Sequence, residues 1–149
     1  MIHPLSDCQA NVPESSNVWQ YTVILPNAKI GDNCNICSHC FVENDVEIGN
    51  NVTIKCGVYL WDGLRVGNNV FIGPNVTFTN DKYPRSKQYP EHFSQTTIAD
   101  GASIGAGSVI LCGITIGKNA MIGAGSIVTK NVPENELWVG NPARFVKKI

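Results

Sequence analysis

The chain has 149 residues and a formal net charge of -1, and this length suits a single domain. The near-neutral charge, with no basic run longer than Lys147-Lys148, excludes the strongly basic surface typical of nucleic-acid-binding proteins. No apolar run approaches the length of a membrane span, and residues 1–9 lack the features of a secretory signal. We therefore expect a cytoplasmic protein with no membrane partner.

Between Val12 and Phe78 every sixth residue is bulky and apolar, and this spacing returns from Ile98 to Val128. An α-helix repeats after about 3.6 residues and a strand after two, so a period of six indicates short strands separated by corners. Related segments begin at positions 30, 48, 66, 98 and 116, and most neighbours among them are separated by three hexads, which make one triangular turn. The sequence therefore predicts an all-β, three-sided parallel β-helix that occupies residues 1–149 as one domain.

Cysteines occupy several positions of the first turns. The spacing of Cys34, Cys37 and Cys40 suggests a metal site. In the six-residue register, however, Cys34 and Cys40 point inward from different walls, whereas zinc ligands must converge on one point. Small residues at these positions fill the interior beside the bulky apolar ones. We therefore expect reduced, structural thiols and no metal.

Three segments depart from the repeat. Residues 1–11 are expected to be irregular and to cap the first turn, because an open β-helix end exposes unpaired backbone groups. Residues 79–97 form a long insertion rich in prolines, charges and aromatic side chains, which favours a binding loop extruded from the helix. The repeat ends near Val132, and residues 133–149 form a short tail with a Gly-Asn-Pro corner.

The three-hexad spacing brings polar residues together where the loop leaves the helix. Asn44, Asp62 and Asn80 should stack at one corner, because neighbouring parallel strands lie only about 4.8 Å apart. Asn and Asp are also common turn formers, and that simpler interpretation remains open. The nearby Trp61 and the extruded loop favour a binding site at this corner.

Several motifs resemble a known family. The segments IGAGSVI at 104 and IGAGSIV at 122, with VGNPARFV at 139, resemble the left-handed β-helix, hexapeptide-repeat acyltransferases over nearly the whole chain. The segments GVYLWDGLRV at 57, NVFIGPNVTFTND at 69 and KYPRS at 82 resemble the nucleotide-sugar N-acetyltransferases. The nearest are those that acetylate the 3-amino group of dTDP-3-amino-3,6-dideoxyhexoses of the fucose or quinovose type.

This resemblance implies an acetyl-CoA-dependent enzyme without a metal. It also implies a left-handed helix and a homotrimer with sites between subunits that acts in surface polysaccharide (O-antigen) biosynthesis. Acetylation of a UDP-linked amino sugar, or O-acetylation of a hydroxyl, remains an alternative.

One departure from the family concerns the proton acceptor. Related 4-amino-sugar acetyltransferases have Glu-His-Asp where this chain has Glu43-Asn44-Asp45, and the histidine is their general base. Asn44 has no useful proton affinity. His39 is the remaining candidate near the helix, but it belongs to a different corner. A neutral amine attacks a thioester without a dedicated base, whereas a hydroxyl needs one far more, so the absence favours N-acetylation.

We assign the catalytic roles to Asn80 and Asp62, which would orient the amine by hydrogen bonds, and to Asp81, which would bind the sugar or the amine. The remaining candidates would bind the nucleotide sugar. They are Asn44, Glu43, Trp61, Tyr59, Lys82, Tyr83, Arg85 and His39.

The resemblance places acetyl-CoA along the C-terminal half of the chain. Ala106 and Ala124 lie on successive turns, and their small side chains would let the pantetheine arm approach the backbone. Lys130 and Arg144 are cations near that end and would bind the phosphates, although Lys130 is nearly as well explained as a solvated lysine.

The closing segment of the chain supplies the last cofactor candidates. Asn141 and Pro142 would shape the adenine pocket.

Two functions of other classes also fit a hexapeptide prism. A γ-class carbonic anhydrase needs three histidines on zinc, and only His39 lies within the regular hexads. A non-catalytic structural trimer is the second, and the polar corner, the loop and the tail argue against it. Consumption of a thioester with amino sugars distinguishes the enzyme from a scaffold.

Overall fold

The computed structural model describes residues 1–149 and consists of strands and turns, with no helix that could span a membrane. Twenty strands, most of them two residues long, form three walls, because each hexad supplies one short strand and one corner. The chain passes from wall 1 to wall 2 to wall 3 and then returns to wall 1 one turn further on. The predicted three-sided parallel β-helix is confirmed.

The walls contain eight, seven and five strands. Wall 1 comprises β2 (Asn17–Val18), β5 (Asn35–Ile36), β8 (Thr53–Ile54), β11 (Phe71–Ile72), β14 (Ser103–Ile104), β17 (Met121–Ile122), β19 (Glu136–Gly140) and β20 (Ala143–Lys148). Wall 2 comprises β1 (Asp7–Cys8), β3 (Val23–Ile24), β6 (Phe41–Val42), β9 (Tyr59–Leu60), β12 (Thr77–Phe78), β15 (Val109–Ile110) and β18 (Ile127–Val128). Wall 3 comprises β4 (Lys29–Ile30), β7 (Glu47–Ile48), β10 (Leu64–Val66), β13 (Thr96–Ile98) and β16 (Thr115–Ile116).

Between β2 and β18 the register repeats every three hexads except at the insertion, whereas β1 and β19 pair across a shorter spacing. Ile30 pairs with Ile48 and Ile48 with Val66, whereas Val66 pairs with Ile98, on the far side of the loop. The pairing then continues regularly from Ile98 to Ile116, so the insertion lengthens one corner without disturbing the turns above it. We call the corner between walls 2 and 3 the loop corner, and the corner between walls 1 and 2 the opposite corner.

The core is a column of apolar side chains inside the three walls. Ile36, Ile54 and Ile72 are completely buried on wall 1, and burying each contributes about 1.5–3 kcal/mol. Cys34 and Cys40 are each 2% exposed and lie within the same core cluster, so the prediction that they are interior residues is confirmed.

The corner between walls 3 and 1 shows why Asn and Gly recur. Asn51 and Asn69 have φ values of 58° and 57°, in the left-handed region that Asn tolerates better than most residues. Asn68 Oδ1 accepts the N–H of Asn50 at 2.8 Å, which ties successive turns together. A Cβ on Gly49 would lie 2.8 Å from the Gly67 carbonyl oxygen, so the close stacking there requires glycine.

Three boundaries differ from the sequence prediction. Residues 1–11 are not irregular, because β1 pairs with β3 and Ile2 bridges Val18, which adds a partial turn below the first hexads. Val12, where the six-residue spacing begins, lies outside every strand, and its partly buried side chain packs against the core. The loop ends at residue 95 rather than 97, because Thr96 already pairs with Leu64 in wall 3.

The C-terminal tail is a hairpin added to wall 1. Its first strand, β19, runs parallel to β17, and β20 returns antiparallel to it. The Gly-Asn-Pro corner joins them, with a cis peptide bond between Asn141 and Pro142. The hairpin closes the top of wall 1 with Trp138, which is 8% exposed.

Candidate functional site

The structure places the three predicted polar residues at the loop corner on successive turns. Asp62 Oδ1 accepts the backbone N–H of Asp45 at 2.7 Å, and Asn80 Nδ2 donates to the Asp62 carbonyl oxygen at 3.2 Å. Asn44 Oδ1 accepts the N–H of Asn27 at 3.1 Å, one turn below. The column is therefore built from bonds between side chains and backbone, so the turn-forming interpretation describes Asn44 well.

Asp62 is fixed from several sides. Its N–H donates to Glu43 Oε2 at 2.6 Å, its carboxylate is bonded by Asp45, and its carbonyl is bonded by Asn80. Burial raises the pKa of the Glu43 carboxyl, and the nearby charge of Asp62 raises the pKa further, while the bond from the Asp62 N–H opposes both. The second carboxylate oxygen of Asp62 has no protein donor and is free for a ligand.

The side-chain amide of Asn80 also has one atom bonded within the protein and one left without a partner. Because its Nδ2 donates to Asp62, its Oδ1 is left as an acceptor. Its carbonyl oxygen accepts the N–H of Ser94 at 3.3 Å, which closes the base of the loop. An acceptor amide thus lies at the point where the loop begins.

Two threonines hold the ends of the loop against the turn above. Thr79 Oγ1 accepts the N–H of Cys112 at 3.0 Å, and Thr96 Oγ1 accepts the N–H of Gly113 at 3.1 Å. The stem of the loop is therefore attached to the helix by bonds on both sides. Sequence reasoning missed these anchors, although threonines flanking a long insertion were visible.

The remaining loop candidates lie further from the corner. Asp81 Oδ1 accepts the N–H of Tyr83 at 3.0 Å, which orders the start of the loop. Tyr83 is 79% exposed, with the Lys82 ammonium 5.7 Å from its ring centre. Arg85 donates only to the carbonyl oxygen of Pro84, at 3.4 Å. Three of these side chains, those of Lys82, Tyr83 and Arg85, are thus presented to solvent.

A cleft of about 570 Å³ lies between the loop and the turns above it. Asp81 and Lys82 line its lower side, and Cys112 and Lys130 line its upper side. The Lys130 ammonium also lies 5.5 Å from the ring centre of Trp138. The cleft therefore brings together two residues predicted for the sugar, Asp81 and Lys82, and one predicted for the cofactor phosphates, Lys130.

The other cofactor candidates do not share this cleft. Ala106 and Ala124 are exposed on successive turns of the opposite corner, where the N–H of Gly125 donates to the Ala106 carbonyl oxygen at 2.8 Å. Arg144 lies in strand β20 of wall 1, and its Nη1 donates to the neighbouring Ala143 carbonyl oxygen at 3.0 Å. Asn141 and Pro142 form the turn of that hairpin.

His39 lies at the opposite corner, as the sequence predicted. Its φ is 62°, and its ring centre lies 5.1 Å from that of Tyr21. These two residues line a shallow cleft of about 370 Å³ on the outer face of wall 2, together with Phe41, Tyr59 and Trp61. Three of the predicted substrate-binding residues, His39, Tyr59 and Trp61, thus share one aromatic surface that ends at the loop corner.

Comparison with known proteins gives the family. The profile of the bacterial transferase hexapeptide family (six repeats) matches residues 45–80 and 95–130, and that of the hexapeptide repeat of succinyl-transferase matches 27–61. The chain is 56% identical over 145 residues to dTDP-3-amino-3,6-dideoxy-alpha-D-galactopyranose 3-N-acetyltransferase of Aneurinibacillus thermoaerophilus, covering 97% of this chain and 76% of the relative. The chain belongs to the hexapeptide-repeat nucleotide-sugar N-acetyltransferases. This family has the left-handed β-helix that the resemblance implied.

Solved structures of this fold include larger proteins. A variant of perosamine N-acetyltransferase from Caulobacter crescentus, in complex with CoA and GDP-perosamine, superposes with a TM-score of 0.74 at 22% identity, over 86% of this chain and 54% of that one. The acetyltransferase domain of PglB from Neisseria gonorrhoeae, in complex with acetyl coenzyme A, gives 0.72 at 19% identity, over 97% and 56%. This family member therefore spans about half the length of those structures, and the likeness to them is one of fold.

Proposed function

We propose that this chain transfers the acetyl group of acetyl-CoA to the 3-amino group of a dTDP-3-amino-3,6-dideoxyhexose in surface polysaccharide biosynthesis. The 56% identity to the Aneurinibacillus enzyme, across 97% of this chain, carries the proposal. That enzyme is named for a sugar of galacto configuration, which favours the fucose type over the quinovose type.

The loop corner supplies the groups that this reaction needs. The free Oδ1 of Asn80 and the second carboxylate oxygen of Asp62 would accept two N–H bonds of the sugar amine and direct its lone pair at the thioester carbon. The C–N bond forms and the C–S bond breaks, and the amine loses one proton as the thiol of CoA is released. The Asp62 carboxylate stabilises the positive charge that develops on nitrogen during the attack.

No histidine is required in this scheme. Asn44 occupies the position of the basic histidine of the related 4-amino-sugar acetyltransferases, and its side-chain oxygen already accepts the N–H of Asn27. An amine that arrives unprotonated is itself the nucleophile, so holding it beside the thioester supplies most of the acceleration, worth up to about 7–11 kcal/mol in well-oriented reactions.

The separation of the two half-sites supports an assembly of several copies. Asp62 and Asn80 lie at the loop corner, while Ala106 and Ala124 lie at the opposite corner, across wall 2. We infer a homotrimer in which acetyl-CoA runs along the opposite corner of one subunit and meets the loop corner of its neighbour. The apolar side chains on the outer face of wall 2, which include Tyr59, support such a contact.

The location of the enzyme is also proposed from its thiols. All six cysteines are free. Unpaired thiols, three of them buried, suit a reducing compartment, so we infer a cytoplasmic enzyme.

An acetyl-CoA assay with a panel of acceptors tests the proposal. Thiol release should occur with dTDP-3-amino-3,6-dideoxygalactose, more weakly with the gluco epimer, and least with a UDP-linked amino sugar or with the 3-hydroxy analogue of the preferred acceptor. Equal or faster release with the 3-hydroxy analogue would favour O-acetylation. A galactoside O-acetyltransferase from Lactococcus lactis is 34% identical over 52% of this chain, which makes that comparison necessary.

A further inference from the structure

Arg65 is a basic residue beside the loop corner that the proposed reaction does not use. It lies in the middle of β10 on wall 3, with its side chain turned outward and only 25% exposed. Its Nη1 donates to the Asp45 carbonyl oxygen at 2.8 Å, and its Nη2 donates to Asp45 Oδ1 at 2.6 Å. Such a two-pronged, charge-assisted contact fixes both the backbone and the side chain of its partner.

Asp45 passes this constraint to the candidate site. Its N–H donates to Asp62 Oδ1 at 2.7 Å, and its carbonyl oxygen also accepts the N–H of Gly63 at 2.9 Å. The Asp62 carboxylate is thus oriented by the backbone N–H of Asp45, a residue that Arg65 immobilises through its carbonyl oxygen and its side chain. Asn80, in turn, donates to the Asp62 carbonyl oxygen.

We propose that Arg65 is a positioning residue for the acetyl transfer, which acts through Asp45 to hold the Asp62 carboxylate towards the sugar amine. This inference rests on the proposed function, because it concerns the orientation of Asp62 during that reaction. Arg65 itself does not touch the substrate. Its removal leaves all the groups of the loop corner present but lets Asp62 rotate away from the productive geometry.

The chain offers a matched control on the same wall. Lys29 pairs with Glu47 at 3.0 Å, and Arg65 approaches the same Glu47 at 3.9 Å. The Lys29 ammonium donates to Glu47 rather than to Asp45, and its side chain is 73% exposed. Lys29→Met therefore removes one positive charge and one ion pair from wall 3 while leaving the Arg65–Asp45 contact in place.

The first measurement is amide hydrogen exchange on the substrate-free protein. Arg65→Met should raise the exchange rates of the Asp45 and Gly63 amides by about tenfold, because Asp45 supplies the N–H of one bond and the carbonyl oxygen of the other and becomes mobile. The exchange rate of the Gly49 amide, which donates to the Val66 carbonyl oxygen in the same wall, should be unchanged. In Lys29→Met the exchange rates of the Asp45, Gly63 and Gly49 amides should all be unchanged. Unchanged exchange at Asp45 and Gly63 in Arg65→Met would overturn the inference.

The second measurement is kinetic. Arg65→Met should lower kcat/KM for the nucleotide sugar by about tenfold or more, with KM for acetyl-CoA within about twofold of wild type. Asp45→Asn, which keeps the backbone contacts, should give a smaller loss of the same kind. Arg65→Met should add no further loss in an Asp62→Asn background, because both changes act on one carboxylate.

Two results would contradict the positioning role. One is full additivity of the Arg65 and Asp62 substitutions, and the other is an equal loss for both substrates with a lower Tm, as a purely structural role predicts. A wild-type enzyme that acetylates no amino sugar would overturn the proposed function instead. The exchange data would still report whether Arg65 holds Asp45 in place, so the two failures are distinguishable.

Discussion

The backbone N–H of Asp62 donates to the Glu43 carboxylate at 2.6 Å, across one full turn of the helix. This contact joins two acidic residues that lie 19 positions apart in the chain. It orients Asp62 and places a second, half-buried carboxylate beside it. The proposed chemistry depends on this arrangement, because Asp62 must present a free oxygen to an amine.

Replacing Asn80 and Asp62, the two residues proposed to bind the amine, should show how much each contributes to activity. Asn80→Ala and Asp62→Asn should each lower kcat/KM for the amino sugar by about tenfold or more, because each removes an acceptor that orients the nucleophile. Asn35→Ala, on wall 1 and bonded to Trp19, serves as a control with near-normal activity. Near-wild-type kinetics for both Asn80→Ala and Asp62→Asn would remove the assignment.

Glu43 should make stability depend on pH in a defined direction. Its pKa is raised in the folded protein above the ordinary value of 4.5, so the folded state binds the proton more tightly than the unfolded state does. Its contribution to stability is therefore fully present below pH 4.5 and is lost as the pH rises through the folded pKa. Glu43→Gln keeps an acceptor for the Asp62 N–H and should raise Tm relative to wild type only at the higher pH values.

Glu47 serves as a control, because its contribution to stability should depend on pH in the opposite direction. The hydrogen bond and charge of Lys29 lower the pKa of Glu47, so its contribution to stability is present above the ordinary value of 4.5 and is lost as the pH falls through the folded pKa. Glu47→Gln should therefore lower Tm slightly at neutral pH and have no effect in acid. Thermal melts between about pH 3 and 8 check both; curves of the same sign would contradict the electrostatic account.

The loop should be separable from the helix. Asn80, Ser94 and the two threonines form its stem, so replacing residues 82–92 with a short Gly-Ser linker leaves the stem intact. The shortened protein should melt within a few degrees of wild type but lose most activity with the nucleotide sugar. Retained activity would show that Lys82, Tyr83 and Arg85 do not bind the substrate.

Substitutions at the opposite corner should affect the binding of acetyl-CoA and not that of the sugar. Ala106 and Ala124 are exposed, so Ala124→Leu should cost little stability while blocking close approach of the pantetheine arm. We expect KM for acetyl-CoA to rise by about tenfold or more, with KM for the sugar nearly unchanged. Cys56→Leu, exposed at the same corner further down the helix, is the control. Equal effects of both substitutions would place the cofactor elsewhere.

Much of this architecture follows from the hexad pattern. The register, the buried Cys34 and the stacking of the loop corner were all predicted, because a period of six determines which side chains point inward and which turns adjoin. The strand at residues 7–8 was missed, because Cys8 pairs with Ile24 across a spacing shorter than three hexads and so lies outside the six-residue register. The loop boundary was misplaced by two residues, because Thr96 and Thr97 resemble loop residues until their partners on wall 3 are known.

The contacts within the site were beyond the reach of the pattern. Register places Asp62 above Asn44, but it does not show that the Asp62 carboxylate accepts the backbone N–H of the next residue, Asp45. Arg65 was read as part of a family motif, and only its distances to Asp45 show what its guanidinium holds. The assigned roles of the individual site residues stay predictions.

The central claim is that the helix positions an amine which is already nucleophilic, without a histidine base. The pH dependence of kcat/KM for the amino sugar tests it most directly. The account predicts that kcat/KM rises once with pH, with its inflection at the pKa of the substrate's own amine, and then reaches a plateau. Asp62→Asn should lower the plateau value without shifting the inflection. A further inflection near pH 6.5, the ordinary range of histidine, that disappears in His39→Asn would contradict it.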